Sequence, residues 1–269
     1  MSKRPSAPPR GKSGSRKGAM DKPVMYSGIH AVESLLRHRP EAVLELFVLD
    51  RRAERGEARL DTLMQQALAQ GIAVQSARRE SLEKLAGPQN QGVVARARPR
   101  VPGGESELAV LLDGLERPPL LLILEGVTDP HNLGACLRSA DAAGVDAVIV
   151  PRRHAAGLTP VACRSAAGAA ESLRYFEVGN LAQLLAALQE RGIRVAGAAL
   201  DQRSVSLFDY QPDPGLAVVM GAEGEGLRRL TLERCDDLVS IPMAGDVQSL
   251  NVSVATGVML FHLRARGRS

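Results

Sequence analysis

The fold of this chain is decided by residues 120–151, which read LLLILEGVTDPHNLGACLRSADAAGVDAVIVP. The first seven residues predict an apolar strand, and the closing VDAVIVP predicts a second one. Between them we expect a helix through Ala143, with Leu133 and Leu137 on its buried face. A strand, a helix and another strand in succession are typical of a parallel sheet.

The segments that follow continue this pattern. Four more strand candidates alternate with helices or loops, namely RYFEV, IRVAGAAL, LAVVMG and DLVSIP, and a last helix is predicted over 250–264. Aromatic residues make up only 3% of the chain and Trp is absent, so Leu, Val, Ile and Ala must build the core. That composition suits buried parallel strands. We therefore predict an α/β domain at 109–269, with helices on both faces of a parallel sheet.

A smaller unit precedes this domain. Its predicted helices are one capped by Ser27 and running through His38, one at 58–70 that Gly71 ends, and one that ends at Gly87. Its predicted strands are 42–50, 71–76 and 91–98. This pattern indicates a small αβ domain at 23–98. The stretch PRVPGGESE, with two prolines and two glycines, predicts a linker at 99–108.

Charge is concentrated at the start of the chain. Residues 1–22 carry a net charge of +6, which leaves −2 for the rest of a chain whose total is +4. This segment is rich in Ser, Gly, Pro, Lys and Arg, and we predict a disordered basic arm. Its charge suits a contact with nucleic acid, and a merely solvated terminus explains the composition equally well.

The cysteines and the hydropathy exclude several classes of protein. Cys136, Cys163 and Cys235 form no CxxC pair, so we predict neither a zinc site nor a redox motif, and no other metal. Unpaired cysteines favour a reducing, cytoplasmic location. No apolar run of about 18 residues occurs, so no membrane contact is expected.

Three segments carry candidate functional residues, and the first is DPHNLGACLRSADAAG at 129–144. Asp129 or Asn132 can cap the predicted helix, and Arg138 lies one to two turns into it. Without further context, a helix cap for Asn132 and a surface ion pair for Arg138 are the favoured explanations.

The second segment is VVMGAEGEGL at 218–227, in which a strand runs into a loop with Gly221, Gly224 and Gly226. Glycines at the carboxyl end of a strand let a ligand approach the backbone. The spacing is neither the dinucleotide GxGxxG nor a phosphate-binding loop. Glu223 and Glu225 lie on one short loop, which argues against the opposed carboxylates of a glycosidase.

The third segment is SIPMAGDVQSLNVSVATGVML at 240–260. Ser249 precedes a helix with small apolar residues on nearly every side, and such a helix is buried. Ser249 and Asn251 are expected near its first amides, where an anionic group can bind. Capping by Ser249 is the simpler explanation, but it does not explain why the polar residues Asn251 and Ser253 enter a helix that is otherwise so apolar.

Together and in this order, NLGACLR, MGAEGEGL and IPMAGDVQSLNVSVA resemble the three motifs of the SPOUT superfamily, in the branch that methylates ribose 2′-hydroxyls of tRNA and rRNA. The likeness covers roughly 120–264. The segment at 25–97, with YSGIHAVESLL and QGVVA, resembles the RNA-binding domain, similar to a ribosomal protein, that precedes many such enzymes. The two-domain layout is most similar to bacterial enzymes that methylate guanosine in 23S rRNA at the peptidyl-transferase P loop.

The resemblance implies a deep C-terminal trefoil knot that binds S-adenosylmethionine, and a homodimer with active sites near the subunit interface. It implies donor contacts at Leu200, Gly221, Ile241, Met243 and Leu250. It also implies a catalytic set formed by Arg138, Asn132, Glu223, Ser249 and Asn251. In the family the arginine is described as a general base or as an activator.

The implied reaction is methyl transfer from S-adenosylmethionine to the ribose 2′-hydroxyl of a guanosine in 23S rRNA. The same chemistry on tRNA is one alternative, and a non-catalytic RNA-binding protein of ribosome assembly is another. A nucleotide-dependent oxidoreductase is disfavoured because the GxGxxG motif is missing.

Overall fold

The computed structural model describes residues 22–50, 58–222 and 224–266. Glu223 and residues 1–21 of the predicted arm lie outside this range. The described residues form two sheets, a smaller one near the start of the chain and a larger one after it. No helix among the described residues is long and apolar enough to cross a membrane.

The larger sheet confirms the predicted α/β class. Its strands are β5 (Leu120–Leu124), β6 (Ala147–Pro151), β7 (Tyr175–Val178), β8 (Arg194–Ala198), β9 (Val205–Ser206), β10 (Leu216–Met220) and β11 (Asp237–Ser240). They are ordered β7-β6-β5-β10-β8-β11-β9, and every neighbouring pair is parallel. The central strands β5 and β10 are buried along their whole length, as their apolar sequences predict.

Helices cover both faces of this sheet. They are α4 (Glu105–Asp113), α5 (Pro130–Ala142), α6 (Pro160–Ser165), α7 (Ala169–Ser172), α8 (Leu181–Glu190), α9 (Arg229–Arg234) and α10 (Val252–Arg266). One buried cluster joins β5 to α5 and α10 through Leu122, Leu124, Leu133, Leu137 and Leu260. A second cluster on the opposite face joins β5 to α8 through Leu121, Ile123, Leu185 and Leu188. The deep knot stays a prediction of the resemblance.

The smaller sheet lies within 24–97 and has the order β1-β4-β2-β3. Its strands are β1 (Val24–Ser27), β2 (Val43–Leu49), β3 (Val74–Ala77) and β4 (Val93–Ala97). The helices of this unit are α1 (Ile29–His38), α2 (Ala58–Ala69) and α3 (Arg79–Ala86), with a 3₁₀ turn at Pro40–Ala42.

The predicted Ser27 cap is wrong. Ser27 is the last residue of β1, and Gly28 occupies the N-cap position of α1 without a side-chain hydrogen bond. Gly28 has a φ of 95°, a backbone conformation that glycine adopts without steric cost. The chain therefore turns directly from a strand into a helix, and a glycine makes that turn.

Several polar contacts join the smaller unit to the larger domain. The guanidinium of Arg39 donates to the buried carboxylate of Glu171 at 2.6 Å, and Ser34 Oγ donates to the carbonyl of Gly168 at 2.7 Å. The guanidinium of Arg100 donates to two backbone carbonyl groups of the same 168–173 segment. These contacts hold the two units in one arrangement.

The predicted linker is packed against the larger domain. Gly103 forms a parallel bridge with Phe176, and helix α4 begins at Glu105, inside the 99–108 range. The division into an arm at 1–22, an RNA-binding domain at 23–98, a linker and a domain at 109–269 stays a prediction.

Candidate active site

A cavity of about 330 Å³ lies at the carboxyl ends of β8, β10 and β11. Three stretches of chain enclose it: the residues after β8, the glycine-rich loop after β10, and the segment that leads from β11 into α10. All five predicted donor contacts are among its lining residues, namely Leu200, Gly221, Ile241, Met243 and Leu250. Ser249 lines the same cavity.

The glycine-rich loop forms one wall of this cavity as a tight hairpin. Ala222 and Gly226 exchange two backbone hydrogen bonds of 3.1 and 2.9 Å. A Cβ atom at Gly221 would lie 2.2 Å from the carbonyl carbon of Gly226. Position 221 therefore requires glycine, because no side chain fits between the strand end and the returning hairpin.

A buried carboxylate anchors the chain that follows this loop. Glu125, at the end of β5, accepts hydrogen bonds from the backbone N–H of Arg228 at 3.0 Å and from Thr231 Oγ1 at 2.8 Å. Sequence reasoning missed this residue. The available signal was an acid directly after an apolar strand and followed by glycine, LLLILEG, because a buried charge needs partners.

Asn132 and Asn251 meet at the start of helices α5 and α10. The amide of Asn251 donates to Oδ1 of Asn132 at 3.1 Å, across 119 residues of sequence. The structure thus brings these two predicted residues of the catalytic set together, while Ser249 lies two residues before Asn251.

Asp129, one of the two caps predicted for α5, is confirmed, whereas the cap of α10 differs from the explanation offered above. Asp129 caps α5 by accepting from the N–H of His131, which leaves Asn132 inside the first turn. Helix α10 begins at Val252, and Asn251 caps it by accepting from the N–H of Ser253 at 2.9 Å. The predicted helix start at 250 is therefore wrong, the alternative of a Ser249 cap is excluded, and capping explains the polar residue Asn251.

Arg138 lies elsewhere on the surface. It is exposed on α5 and is not among the residues that line the cavity. Arg138 forms no hydrogen bond or ion pair with any residue that the structure describes, so the alternative of a surface ion pair finds no partner there. The guanidinium is available to a ligand or to a second subunit.

The cysteine thiols of the fold are unreactive. Burial raises the pKa of Cys136 to about 11 and the pKa values of Cys163 and Cys235 to about 12. A thiol with such a pKa stays protonated near neutral pH and is a poor nucleophile. No group of three or more His, Cys, Asp or Glu residues within the described ranges could hold a metal ion.

Comparison with known proteins identifies the family. The model of the SpoU rRNA Methylase family matches residues 119–261, and a model for RNA 2'-O ribose methyltransferase substrate binding matches residues 27–102. The fold and the cavity define an α/β protein with a ligand site at the carboxyl edge of its sheet. The chain belongs to the SpoU rRNA methylase family.

Two relatives are similar over most of their length. The 23S rRNA (guanosine-2'-O-)-methyltransferase RlmB of Yersinia pestis is 51% identical over 246 residues, which are 91% of this chain and 98% of that protein. The protein with the same name from Escherichia coli K12 is 51% identical over 238 residues, 88% of this chain and 96% of its own.

Solved structures share the fold. The SpoU methyltransferase AviRb of Streptomyces viridochromogenes, crystallised with the cofactor AdoMet, has a TM-score of 0.71 at 24% identity and covers 95% of this chain and 94% of its own. A TrmH/SpoU tRNA modifying enzyme of A. aeolicus has a TM-score of 0.52 at 28% identity, and the match covers 61% of this chain and 84% of that enzyme.

Proposed function

We propose that this chain transfers a methyl group from S-adenosylmethionine to the ribose 2′-hydroxyl of a guanosine in 23S rRNA. The observation that carries this proposal is the single cavity that all five predicted donor contacts line. Relatives with about half of their residues identical carry that activity in their names.

The residues of the cavity fit the methyl donor. Leu200, Ile241 and Leu250 supply apolar surface for the adenine ring, and Gly221 lies in the same lining. A volume near 330 Å³ is at the lower end of the range for small-molecule sites. S-adenosylmethionine, when bound, supplies an electrophilic methyl group on a sulfonium. The protein then has to hold the ribose oxygen in line with that methyl group and to promote loss of the hydroxyl proton to solvent, while the thioether of S-adenosylhomocysteine is the leaving group.

The ribose is held at the rim of the cavity. Ser249 lies in its lining, and the Asn132–Asn251 hydrogen bond fixes two amides close by. Glu223 lies outside the described residues, and its role in this set is part of the proposal. These side chains offer the hydrogen-bonding groups that a ribose needs.

Arg138 acts, in this proposal, on the phosphate and on the developing alkoxide. A guanidinium holds its proton with a pKa above about 12, which makes it a poor general base. Its planar donor array suits a phosphate and stabilises negative charge on the 2′-oxygen. An Arg138→Lys variant should lower kcat without shifting its pH profile. Full activity with a profile that follows the lysine pKa would favour the general base instead.

We further infer a homodimer built on α10. Val254, Val258 and Phe261 recur at spacings of four and three residues and are 51%, 36% and 53% exposed. An exposed apolar stripe of this kind is typical of a helix that packs against another chain. Helix α5, which carries Arg138, packs on α10 through Cys136 and Thr256, so an interface on α10 would also lie close to α5.

The unit at 23–98 binds the RNA in this proposal, and the basic arm at 1–22 adds phosphate contacts. The family model for RNA 2'-O ribose methyltransferase substrate binding over 27–102 supports this role. The names of the relatives that are about half identical favour rRNA over tRNA. We place the enzyme in the cytoplasm, with its substrate.

Two measurements test the proposal. Calorimetry should show that the purified chain binds S-adenosylmethionine, and a labelled donor should transfer methyl groups to 23S rRNA fragments and not to tRNA. Preferential methylation of tRNA would favour the alternative substrate. Absence of donor binding would refute the enzymatic function and leave an RNA-binding protein.

Deletion of 1–22 tests the role of the basic arm. The deletion should raise the KM for rRNA and flatten the salt dependence of that KM.

A further inference from the structure

A second cavity, of about 460 Å³, adjoins the donor cavity. The two cavities share the lining residues Ala222, Glu225, Gly226, Leu227 and Val252. Asn132 lines the second cavity, and its hydrogen-bond partner Asn251 precedes Val252 in the shared wall. A nucleoside in the second cavity would therefore have its ribose beside the proposed methyl donor.

The second cavity is the more polar of the two. Its ionisable lining residues are Glu125, Asp129, His154, Glu225 and Arg228. Both carboxylate oxygens of Glu125 already accept hydrogen bonds from the protein. The carboxylate of Asp129 is different, because only its Oδ1 is used.

Asp129 is held in place by the helix that it caps. Its Oδ1 accepts from the N–H of His131 at 3.1 Å, which fixes the plane of the carboxylate at the mouth of the cavity. No residue in the described part of the chain donates to its Oδ2. Asp129 therefore offers an oriented acceptor to a ligand in this cavity.

We propose that the second cavity receives the target base and that Asp129 selects guanine. This inference rests on the proposed function and adds a specificity-determining residue to it. Guanine carries two adjacent donors on its Watson–Crick edge, N1–H and the N2 amino group. Adenine places one donor beside one acceptor there, cytosine one donor beside two acceptors, and uracil its single donor between two acceptors. Oδ2 of Asp129 and the second lone pair of Oδ1 can accept from both guanine donors at once, and no other base offers two adjacent donors to a carboxylate, which only accepts.

Other groups of the cavity fit the same base. Arg228 and His154 line the same space and supply donors suited to the O6 and N7 acceptors of guanine. An enzyme that reads an edge of this kind must first take the nucleotide out of its stack. A polar cavity open to solvent beside the donor site provides the space for the extruded base.

The test compares guanosine with inosine, which lacks only the N2 amino group. The nucleotide methylated in an rRNA fragment is first mapped by mass spectrometry, and the fragment is then synthesised with inosine at that position. The wild-type chain should methylate the guanosine fragment roughly tenfold or more faster in single-turnover assays, since a hydrogen bond to a charged acceptor is lost. Asp129→Asn and Asp129→Ser should reduce this preference to near unity while keeping a capping side chain.

Asp141→Asn is the matched control. Asp141 lies on the same helix, is exposed and accepts from Ser172 Oγ at 2.6 Å, so its variant removes the same charge away from the cavity and should keep the preference. Two results would overturn the inference while methyl transfer itself is still observed. One is a guanosine preference that stays unchanged in both Asp129 variants, and the other is a wild-type chain without that preference. A wild-type chain that methylates no RNA would overturn the proposed function as well.

Discussion

Gly221 is the position at which one added methyl group should damage the donor cavity most. In Gly221→Ala the new Cβ would lie 2.2 Å from the carbonyl carbon of Gly226 and 2.5 Å from the nitrogen of Leu227. Both are backbone atoms of the hairpin that forms the cavity wall. To restore an ordinary contact of roughly 3.5 Å, the wall must move by about 1 Å.

The size of the effect follows from the cost of overpacking. Forcing a methyl group into a filled site typically costs about 1–3 kcal/mol, and each ~1.4 kcal/mol changes a binding constant tenfold. Because the bound donor requires the wall in its original position, the cost of restoring that position is taken from the binding free energy, and we expect Gly221→Ala to weaken S-adenosylmethionine binding about ten- to a hundredfold.

Calorimetric titration of the donor measures this effect, and thermal unfolding checks that the variant is folded. Gly245→Ala is the matched control, because a Cβ at Gly245 meets no atom within 4 Å and should change neither quantity. A folded Gly221→Ala protein with wild-type donor affinity would refute the assignment of this wall to the donor site.

Substitutions at three further positions test separate parts of the structure. Glu125→Gln should lower the free energy of unfolding by about 1–3 kcal/mol in urea titrations, because it weakens a buried acceptor with two donors; an unchanged midpoint would contradict that role. Asn251→Ala should cost about 1 kcal/mol through the lost cap and also lower kcat, whereas Asn251→Asp should recover the stability and not the activity. Val258→Asp should convert a dimer into monomers in light scattering, and a wild-type chain that is already monomeric would exclude the proposed interface.

The sheet was predictable from sequence because the burial of its strands determines which residue types they contain. Strands β5 and β10 are covered on both faces, so LLLIL and LAVVM are apolar at every position. Strand β9, with two residues, was missed because such a short element carries no periodic pattern. The prediction of a helix cap at Ser27 was wrong because serine is a common cap, whereas here Ser27 ends a strand that was not predicted.

The five residues that line the cavity were predicted only through the resemblance, and the partners of the other contacts described here have no signal in the local sequence. The close contacts at Gly221 arise because the hairpin brings the backbone of Gly226 back beside it. The spacing of the glycines only suggests such a turn. The Asn132–Asn251 hydrogen bond joins helices that are far apart in sequence, and the same holds for Glu125 and Thr231. Such pairs depend on the order of the strands in the sheet, and no local sequence pattern predicts that order.

The central claim is tested most directly by locating the methyl group in the product. Purified protein and S-adenosylmethionine are incubated with 23S rRNA that lacks modifications, and the digested RNA is analysed by mass spectrometry. We predict that a single guanosine gains one methyl group and that the group is on its ribose. A methyl group on a base, or none at all, would contradict the account.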